Sequence, residues 1–291
     1  MSRSVGFVGL GKMGFHMARH LVEAGFDVTG VDVSAGARAR AGAAGIKEVA
    51  DVSALSAVPV VLSSLPDTPD VRRVYEAPEG LLGLMASGSL CVDLSTISVT
   101  ASCDLAAAAS PRGIDFVDAP VSGTAIHAEA GTLAIMVGGA AAAVDRARPY
   151  LEPFSSSVHH IGPSGSGLQM KLITNRLLTT HLVGIAEAIV EMEAAGLEVE
   201  ACLDLLRAGA VPRLLDYKAG PMAGRDFSPQ FTVDLMDKDL RLAAEQRPSG
   251  RMASVAAAMV REAQEAGLGG ADLGAVIEVV AGRVSDQGRR A

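Results

Sequence analysis

A glycine-rich turn between two short apolar segments constrains the fold of this chain more than any other feature. The turn is Gly9-Leu10-Gly11-Lys12-Met13-Gly14, and it follows an apolar run at residues 5–8 that is typical of a strand. A helical pattern covers residues 16–24, and a second strand pattern at 27–31 is followed at once by Asp32. Glycines at this spacing allow a tight turn, a close approach to a pyrophosphate and close packing of helix on sheet. The segment therefore predicts a dinucleotide-binding unit with the pyrophosphate at the helix N-terminus.

Asp32 bears on which dinucleotide binds. A carboxylate at this position accepts hydrogen bonds from the adenosine ribose hydroxyls and repels a 2′-phosphate, which favours NAD over NADP. Arg38 and Arg40 could hold a 2′-phosphate, but their helical spacing within residues 35–44 favours a solvated face. We therefore expect NAD as the cofactor, with NADP as the alternative.

Composition limits the classes of function. The 291 residues are 49% hydrophobic and 20% charged, as in an ordinary globular protein with room for two domains. A net charge of -8 argues against nucleic acid as a partner. Cys91, Cys103 and Cys202 form no disulfide or metal pattern and indicate a reducing compartment. With no apolar run near the roughly 20 residues that span a bilayer, we expect a soluble, cytoplasmic protein.

Short apolar runs alternate with helical patterns as far as residue 163. Strands are expected at residues 5–8, 27–31, 58–62, 90–93, 114–117, 133–137 and 158–161, with helices between them at 69–75, 99–109 and 140–151. Such alternation predicts crossover units and a largely parallel sheet covered by helices.

The pattern changes after residue 163. One long helical pattern covers residues 168–195, Gly196 ends it, and the rest shows helices and loops without a strand. We predict an α/β Rossmann-type N-terminal domain with a parallel sheet over residues 1–163. A long connecting helix and an all-α C-terminal domain follow over residues 164–291.

Lys171 and Asn175 are the candidate catalytic pair. They lie four residues apart near the start of the long helix and so share one face of it. A lysine facing a nicotinamide can donate a proton to a carbonyl oxygen as hydride is delivered, or accept one from an alcohol in the reverse direction. Asn175 could hold the same oxygen or the lysine. His16 and His20 are also four apart, but without a third ligand they predict no metal site.

Four motifs lie in order along nearly the whole chain. They begin with the glycine-rich turn, and the other three are Asp118-Ala119-Pro120-Val121-Ser122-Gly123, the segment 165–175 and Lys238-Asp239-Leu240. Together they resemble the motifs of the β-hydroxyacid dehydrogenase family, which includes 3-hydroxyisobutyrate dehydrogenase and tartronate semialdehyde reductase. The family's catalytic lysine falls on Lys171.

The resemblance implies roles for the matching residues. Ser122 and Gly123, with Thr124 beside them, would bind the substrate carboxylate through a hydroxyl and backbone amides. Cofactor contacts fall on the glycine-rich turn and on Leu65, Pro66, Thr96 and Lys238. The resemblance also implies a homodimer or a homotetramer. Thr124 stands where many relatives have a second glycine, and Thr174 where many have asparagine, so both put the identity of the substrate in doubt.

These features predict an NAD-dependent oxidoreductase that transfers hydride between nicotinamide and a small β-hydroxyacid, like 3-hydroxyisobutyrate, or its semialdehyde. An imine reductase-like, NADP-dependent enzyme is one alternative, but such relatives are expected to lack the lysine found here at position 171. A non-catalytic nucleotide-sensing protein is another, and it would need an added binding module or a basic tail. The sequence shows a pattern for neither such a module nor a basic tail.

Overall fold

A computed structural model of the chain describes residues 3–208, 212–246 and 251–284. The chain divides into two compact units, Met1–Lys171 and Leu172–Ala291. Within the described ranges, no helix is long and apolar enough to cross a membrane.

The first unit is built around a nine-stranded sheet. Its strands are β1 Ser4–Val8, β2 Asp27–Val31, β3 Lys47–Val49, β4 Val60–Ser63, β5 Leu90–Asp93, β6 Asp115–Asp118, β7 Val121–Ser122, β8 Leu133–Gly138 and β9 Ser155–Gly162. The order is β3-β2-β1-β4-β5-β6-β8-β7, and β9 pairs with β8. The chain reverses its direction across the sheet between β1 and β4, which is where open parallel sheets bind ligands, beyond the carboxyl ends of the strands.

The sheet is largely parallel, as predicted, but β8 runs antiparallel to β6 and to β7. The predicted strands at 27–31 and 90–93 are confirmed with the same limits. Two short strands escaped the sequence analysis. Strand β3 is only three residues long and two of them are charged, and β7 has two residues, so neither produces an apolar pattern.

Helices connect most of the strands of this sheet. They are α1 Gly14–Glu23, α2 Ala35–Ala43, α3 Thr68–Glu76, α4 Leu81–Leu84, α5 Val99–Ala109, α6 Ala125–Glu129 and α7 Ala141–Leu151. In α1, Met17, Ala18 and Leu21 are buried in the same core cluster as Phe7 and Leu62 of the sheet. The helices predicted over 99–109 and 140–151 correspond to α5 and α7.

The long helix α8 spans Ser166–Ala194, close to its predicted limits. Its 29 residues extend about 43 Å at the α-helical rise. Gly196 follows in a left-handed conformation, with φ +68°, which closes a helix without the strain that a side chain would bring.

The second unit is helical in its described part. It contains most of α8, then α9 Val199–Arg207, α10 Pro212–Ala223, α11 Val233–Gln246, α12 Arg251–Ala263 and α13 Val276–Val280. Its core includes Leu182, Met236 and Val260. A buried ion pair joins Lys218 Nζ to Asp272 Oδ1 at 2.7 Å.

Candidate functional site

The glycine-rich turn directly follows β1 and has the backbone geometry that its sequence predicts. Gly9 has φ +92°, and a Cβ on it would lie 2.2 Å from Ser64 O. A Cβ on Gly14 would lie 1.9 Å from Gly9 O, so α1 approaches the turn as only glycine permits. At Gly11, no described atom would lie within 4 Å of an added Cβ, which leaves open space beside the backbone. The first-turn amides of α1 therefore suit a pyrophosphate.

The Asp32 carboxylate joins the glycine-rich turn to the end of β2. Its Oδ2 accepts a hydrogen bond from Leu10 N at 2.7 Å, and its Oδ1 accepts one from Ser34 N at 2.7 Å. Since each carboxylate oxygen can accept two hydrogen bonds, one lone pair on each remains for ribose hydroxyls. The residues present fit the adenosine half of a nicotinamide dinucleotide.

Arg38 and Arg40 do more than form a solvated face. The guanidinium of Arg38 donates to Asp32 O at 2.6 Å, and that of Arg40 donates to Leu10 O at 2.7 Å. The Arg40 guanidinium also lies 4.5 Å from the centroid of the Phe15 ring. Both cations thus stabilise the loops around Asp32, a role that their helical spacing did not reveal.

Strand pairing brings the exits of β1, β4 and β5 to one edge of the sheet. Ser64 N donates to Val8 O at 2.8 Å, and Leu94 N donates to Ser63 O at 2.8 Å. Leu65 N donates to Ser95 Oγ at 2.9 Å, which ties the Leu65-Pro66 segment to the segment that carries Thr96. The predicted cofactor-contacting residues of the first unit therefore lie at neighbouring strand ends.

Asp93 organises this edge, a role that its sequence pattern did not predict. Its Oδ1 accepts hydrogen bonds from Ser63 Oγ at 2.7 Å and from Ser95 Oγ at 2.6 Å. Its Oδ2 is buried and has no hydrogen-bond partner among the described residues. Burial raises the pKa of Asp93 to about 6, although the hydrogen bonds from both serines oppose this. An acid at the end of an apolar strand, two residues before Ser95, was the available signal.

The predicted carboxylate-binding residues lie where β7 meets α6. Gly123 has φ +131°, and a Cβ there would lie 2.8 Å from the Leu133 side chain and 2.9 Å from His127 Cβ. Thr124 N donates to His127 Nδ1 at 3.2 Å, and Thr124 Oγ1 lies 3.1 Å from the same nitrogen. His127 therefore contacts both the amide and the hydroxyl of Thr124. The Thr124 amide thus already donates a hydrogen bond within the loop.

Asp118 connects this motif to the long helix. Its Oδ1 accepts from Gly165 N at 2.7 Å and its Oδ2 from Leu168 N at 2.9 Å. The carboxylate is 1% exposed, and burial raises its pKa although the backbone amides oppose this. Lys171 follows Leu168 by three residues on α8, and its side chain is buried.

Two of the predicted residues, Asn175 and Lys238, lie in the second unit beside Asp239, for which the sequence predicted no role. Asn175 Nδ2 donates to Asp239 Oδ2 at 2.6 Å, and Lys238 Nζ lies 3.1 Å from Asp239 Oδ1. Asp239 thereby links the third motif to the fourth. Because Asn175 and Asp239 are 64 positions apart in the sequence, no local sequence pattern predicts this hydrogen bond.

Two families match the chain in succession. Residues 4–162 match the family described as NAD binding domain of 6-phosphogluconate dehydrogenase. Residues 165–280 match the family described as NAD-binding of NADP-dependent 3-hydroxyisobutyrate dehydrogenase.

Individual relatives cover most of the chain. The 2-(hydroxymethyl)glutarate dehydrogenase of Eubacterium barkeri is 34% identical over 286 residues, which are 96% of this chain and 95% of the relative. The NAD-dependent L-serine dehydrogenase of Pseudomonas aeruginosa is 36% identical over 252 residues, 84% of this chain and 85% of that one. The solved structure of Mycobacterium tuberculosis 3-hydroxyisobutyrate dehydrogenase with L-serine has a TM-score of 0.86 at 34% identity, and the match covers 96% of this chain and 99% of that one.

Proposed function

This chain belongs to the β-hydroxyacid dehydrogenase family, and from that premise we propose that it is an NAD-dependent dehydrogenase with Lys171 as general acid and base. Its substrate is a small β-hydroxyacid, or the matching semialdehyde in the reverse direction. The family membership supports an oxidoreductase that uses a nicotinamide dinucleotide.

The names of three of the relatives favour one substrate class. 3-Hydroxyisobutyrate, L-serine and 2-(hydroxymethyl)glutarate all have a hydroxymethyl group on the carbon that bears the carboxylate. They differ only in the third substituent of that carbon, which is a methyl, an ammonium or a carboxyethyl group. We propose a substrate of this general form, HOCH₂–CHR–COO⁻.

One observation carries the proposal. Asp118 opens the 118–123 motif, and the same side chain accepts the Gly165 and Leu168 amides at the start of the helix that bears Lys171. The proposed carboxylate anchor, Ser122, and the proposed proton donor are therefore joined through one buried residue of the first unit. This shared contact supports a site in which an acid is held by its carboxylate while a proton moves at its hydroxyl.

Each of the proposed site residues has a separate role in this reaction. A bound nicotinamide would accept hydride from the carbinol carbon of the hydroxyacid, or supply it to the carbonyl carbon of the semialdehyde. Lys171 donates a proton to the carbonyl oxygen during reduction, and in its neutral form accepts one from the hydroxyl during oxidation. The Ser122 hydroxyl and the Gly123 amide donate hydrogen bonds to the carboxylate. Asp32 accepts hydrogen bonds from the adenosine ribose and repels a 2′-phosphate, which favours NAD.

An initial-rate screen tests this function. The three named hydroxyacids are assayed with NAD and with NADP, using the wild type, Lys171→Ala and, as control, Lys47→Ala, an exposed lysine of β3. Lys171→Ala should lower kcat by about 10²- to 10⁴-fold, the usual scale of acid–base catalysis, while NAD still binds. Lys47→Ala should leave turnover unchanged. Near-native turnover of Lys171→Ala, or a wild type inactive on every member of the panel, would contradict the proposal.

A further inference from the structure

Asp118 is a buried carboxylate that takes no part in the proposed hydride or proton transfer. It ends β6, and it is 1% exposed. Its two oxygens face amides on either side of the first residue of α8, Gly165 N at 2.7 Å and Leu168 N at 2.9 Å. Both donors belong to the N-terminal end of the helix, where backbone amides lack intrahelical acceptors.

Two glycines pack closely against this carboxylate. A Cβ on Gly138 would lie 2.5 Å from Asp118 Oδ1. A Cβ on Gly167 would lie 2.4 Å from Met136 O and 2.9 Å from Asp118 Oδ2. The glycines on β8 and α8 thus allow the helix to approach the sheet until both amides reach one side chain.

A carboxylate is the side chain that meets this need. It presents two acceptor oxygens and a negative charge, and both favour a helix N-terminus. Asparagine has the same shape but only one acceptor oxygen, and its NH₂ group would face an amide that also donates. The contact therefore depends on the second oxygen of aspartate, beyond the volume of the side chain.

We propose that Asp118 is a positioning residue that fixes the first turn of α8 and, through it, the position of Lys171. This inference rests on the proposed function, because it gives Lys171 the proton-transfer role. Lys171 lies three residues beyond Leu168, or about 4.5 Å along the helix axis. Asp118 also precedes Ser122 by four residues, so the residue that contacts the start of α8 belongs to the motif that carries the proposed carboxylate anchor. A displacement of about 1 Å at a reacting group can lower the rate by about 100-fold.

A double-mutant cycle separates positioning from a general structural role. Asp118→Asn is made in the wild type and in Lys171→Ala, and kcat with the best hydroxyacid and KM for NAD are measured in all four proteins. Asp115→Asn, at the partly exposed start of the same strand, where the carboxylate pairs with Arg146, is the matched control. In the wild type, Asp118→Asn should lower kcat by about 10- to 100-fold and leave KM for NAD within about threefold. In Lys171→Ala it should lower kcat by less than about threefold, because the group that it positions is absent.

A second variant disturbs the contact between Asp118 and the start of α8 without removing the carboxylate. Gly138→Ala places a methyl group against Asp118 Oδ1 and should reproduce the dependence on Lys171, so it replaces Asp118→Asn where that variant does not fold. Circular dichroism establishes that each protein is folded at the assay temperature. Hydrogen exchange of the amides at the start of α8 should accelerate in either variant and not in Asp115→Asn.

The outcomes distinguish the two proposals. Wild-type kcat in both folded variants, or equal losses with and without Lys171, would overturn the positioning role and leave the proposed function intact. Near-native turnover of Lys171→Ala would overturn the proposed function, and the positioning role with it.

Discussion

Asp93 and Asp118 are paired neighbours in the register of β5 and β6, and both carboxylates are buried. Asp93 concentrates its hydrogen bonds on one oxygen, whereas Asp118 gives one oxygen to each of two amides at the start of α8. Burial raises the pKa of both groups, and the charge of Asp118 adds to the effect at Asp93. The same residue type therefore meets two different requirements at adjacent strand ends.

Asp93→Asn should remove a pH-dependent loss of stability. Burial raises the pKa of Asp93 from 3.8 to about 6, so the folded state binds this proton more tightly than the unfolded state. Its stabilising contribution is complete below the unfolded pKa and is lost as the pH rises through the folded pKa. The loss is on the order of 3 kcal/mol at neutral pH. In Asn, the amide oxygen can accept the same serine donors, and an uncharged NH₂ replaces the unpartnered oxygen.

Urea unfolding followed by circular dichroism between pH 4 and pH 8 measures this effect. The wild type should lose stability relative to Asp93→Asn across that range, and the variant should be at least as stable at pH 8. Asp118→Asn is the contrast, because it leaves one of two amides without an acceptor and should be destabilised by about 1–3 kcal/mol. Parallel curves for the wild type and Asp93→Asn would show that the ionisation of Asp93 is not linked to folding.

The sequence predicted the features that depend on neighbouring residues. The glycine-rich turn, β2, β5, α5 and the long helix all follow from apolar periodicity and turn chemistry within a few tens of residues. The Thr124–His127 contact is also local and has the spacing of a helix-capping box, so it could have been predicted.

The contacts that organise the site join distant segments instead. Asp118 accepts from residues 47 and 50 positions away, and Asn175 binds a carboxylate 64 positions away. The sequence around an acid at a strand end does not show which distant groups will donate hydrogen bonds to it. Only the folded structure identifies these pairs. The sequence thus indicated which residue types form the site, but it did not indicate which of them are joined by hydrogen bonds.

Asp32→Ala should narrow the preference for NAD over NADP. The substitution removes a ribose acceptor and a charge that repels the 2′-phosphate, and it frees the amides of Leu10 and Ser34. We expect KM for NAD to rise and the ratio of catalytic efficiencies for NAD and NADP to fall by about tenfold or more, equivalent to about 1.4 kcal/mol. Asp27→Ala, at the exposed opposite end of β2, should leave the ratio unchanged. A wild type that uses NADP as efficiently as NAD would show that Asp32 does not select the cofactor.

Ser122→Ala should lower kcat/KM for hydroxyacids and leave kcat/KM for simple alcohols nearly unchanged. A hydrogen bond to a carboxylate contributes about 1.5–3 kcal/mol, so its loss should lower kcat/KM for a hydroxyacid by about 10- to 100-fold. The matched substrates are 3-hydroxyisobutyrate and 2-methylpropan-1-ol, which differ by a carboxylate in place of a methyl group. The alcohol has no carboxylate for Ser122 to bind, so its kcat/KM should change little. KM for NAD should also stay nearly constant, because the pyrophosphate is proposed to bind at a different segment, the glycine-rich turn. Ser156→Ala, which removes an exposed hydroxyl on β9, controls for the loss of a serine as such. Equal losses for acid and alcohol would mean that Ser122 acts on the reacting carbon or on the fold, and the carboxylate would then need another anchor.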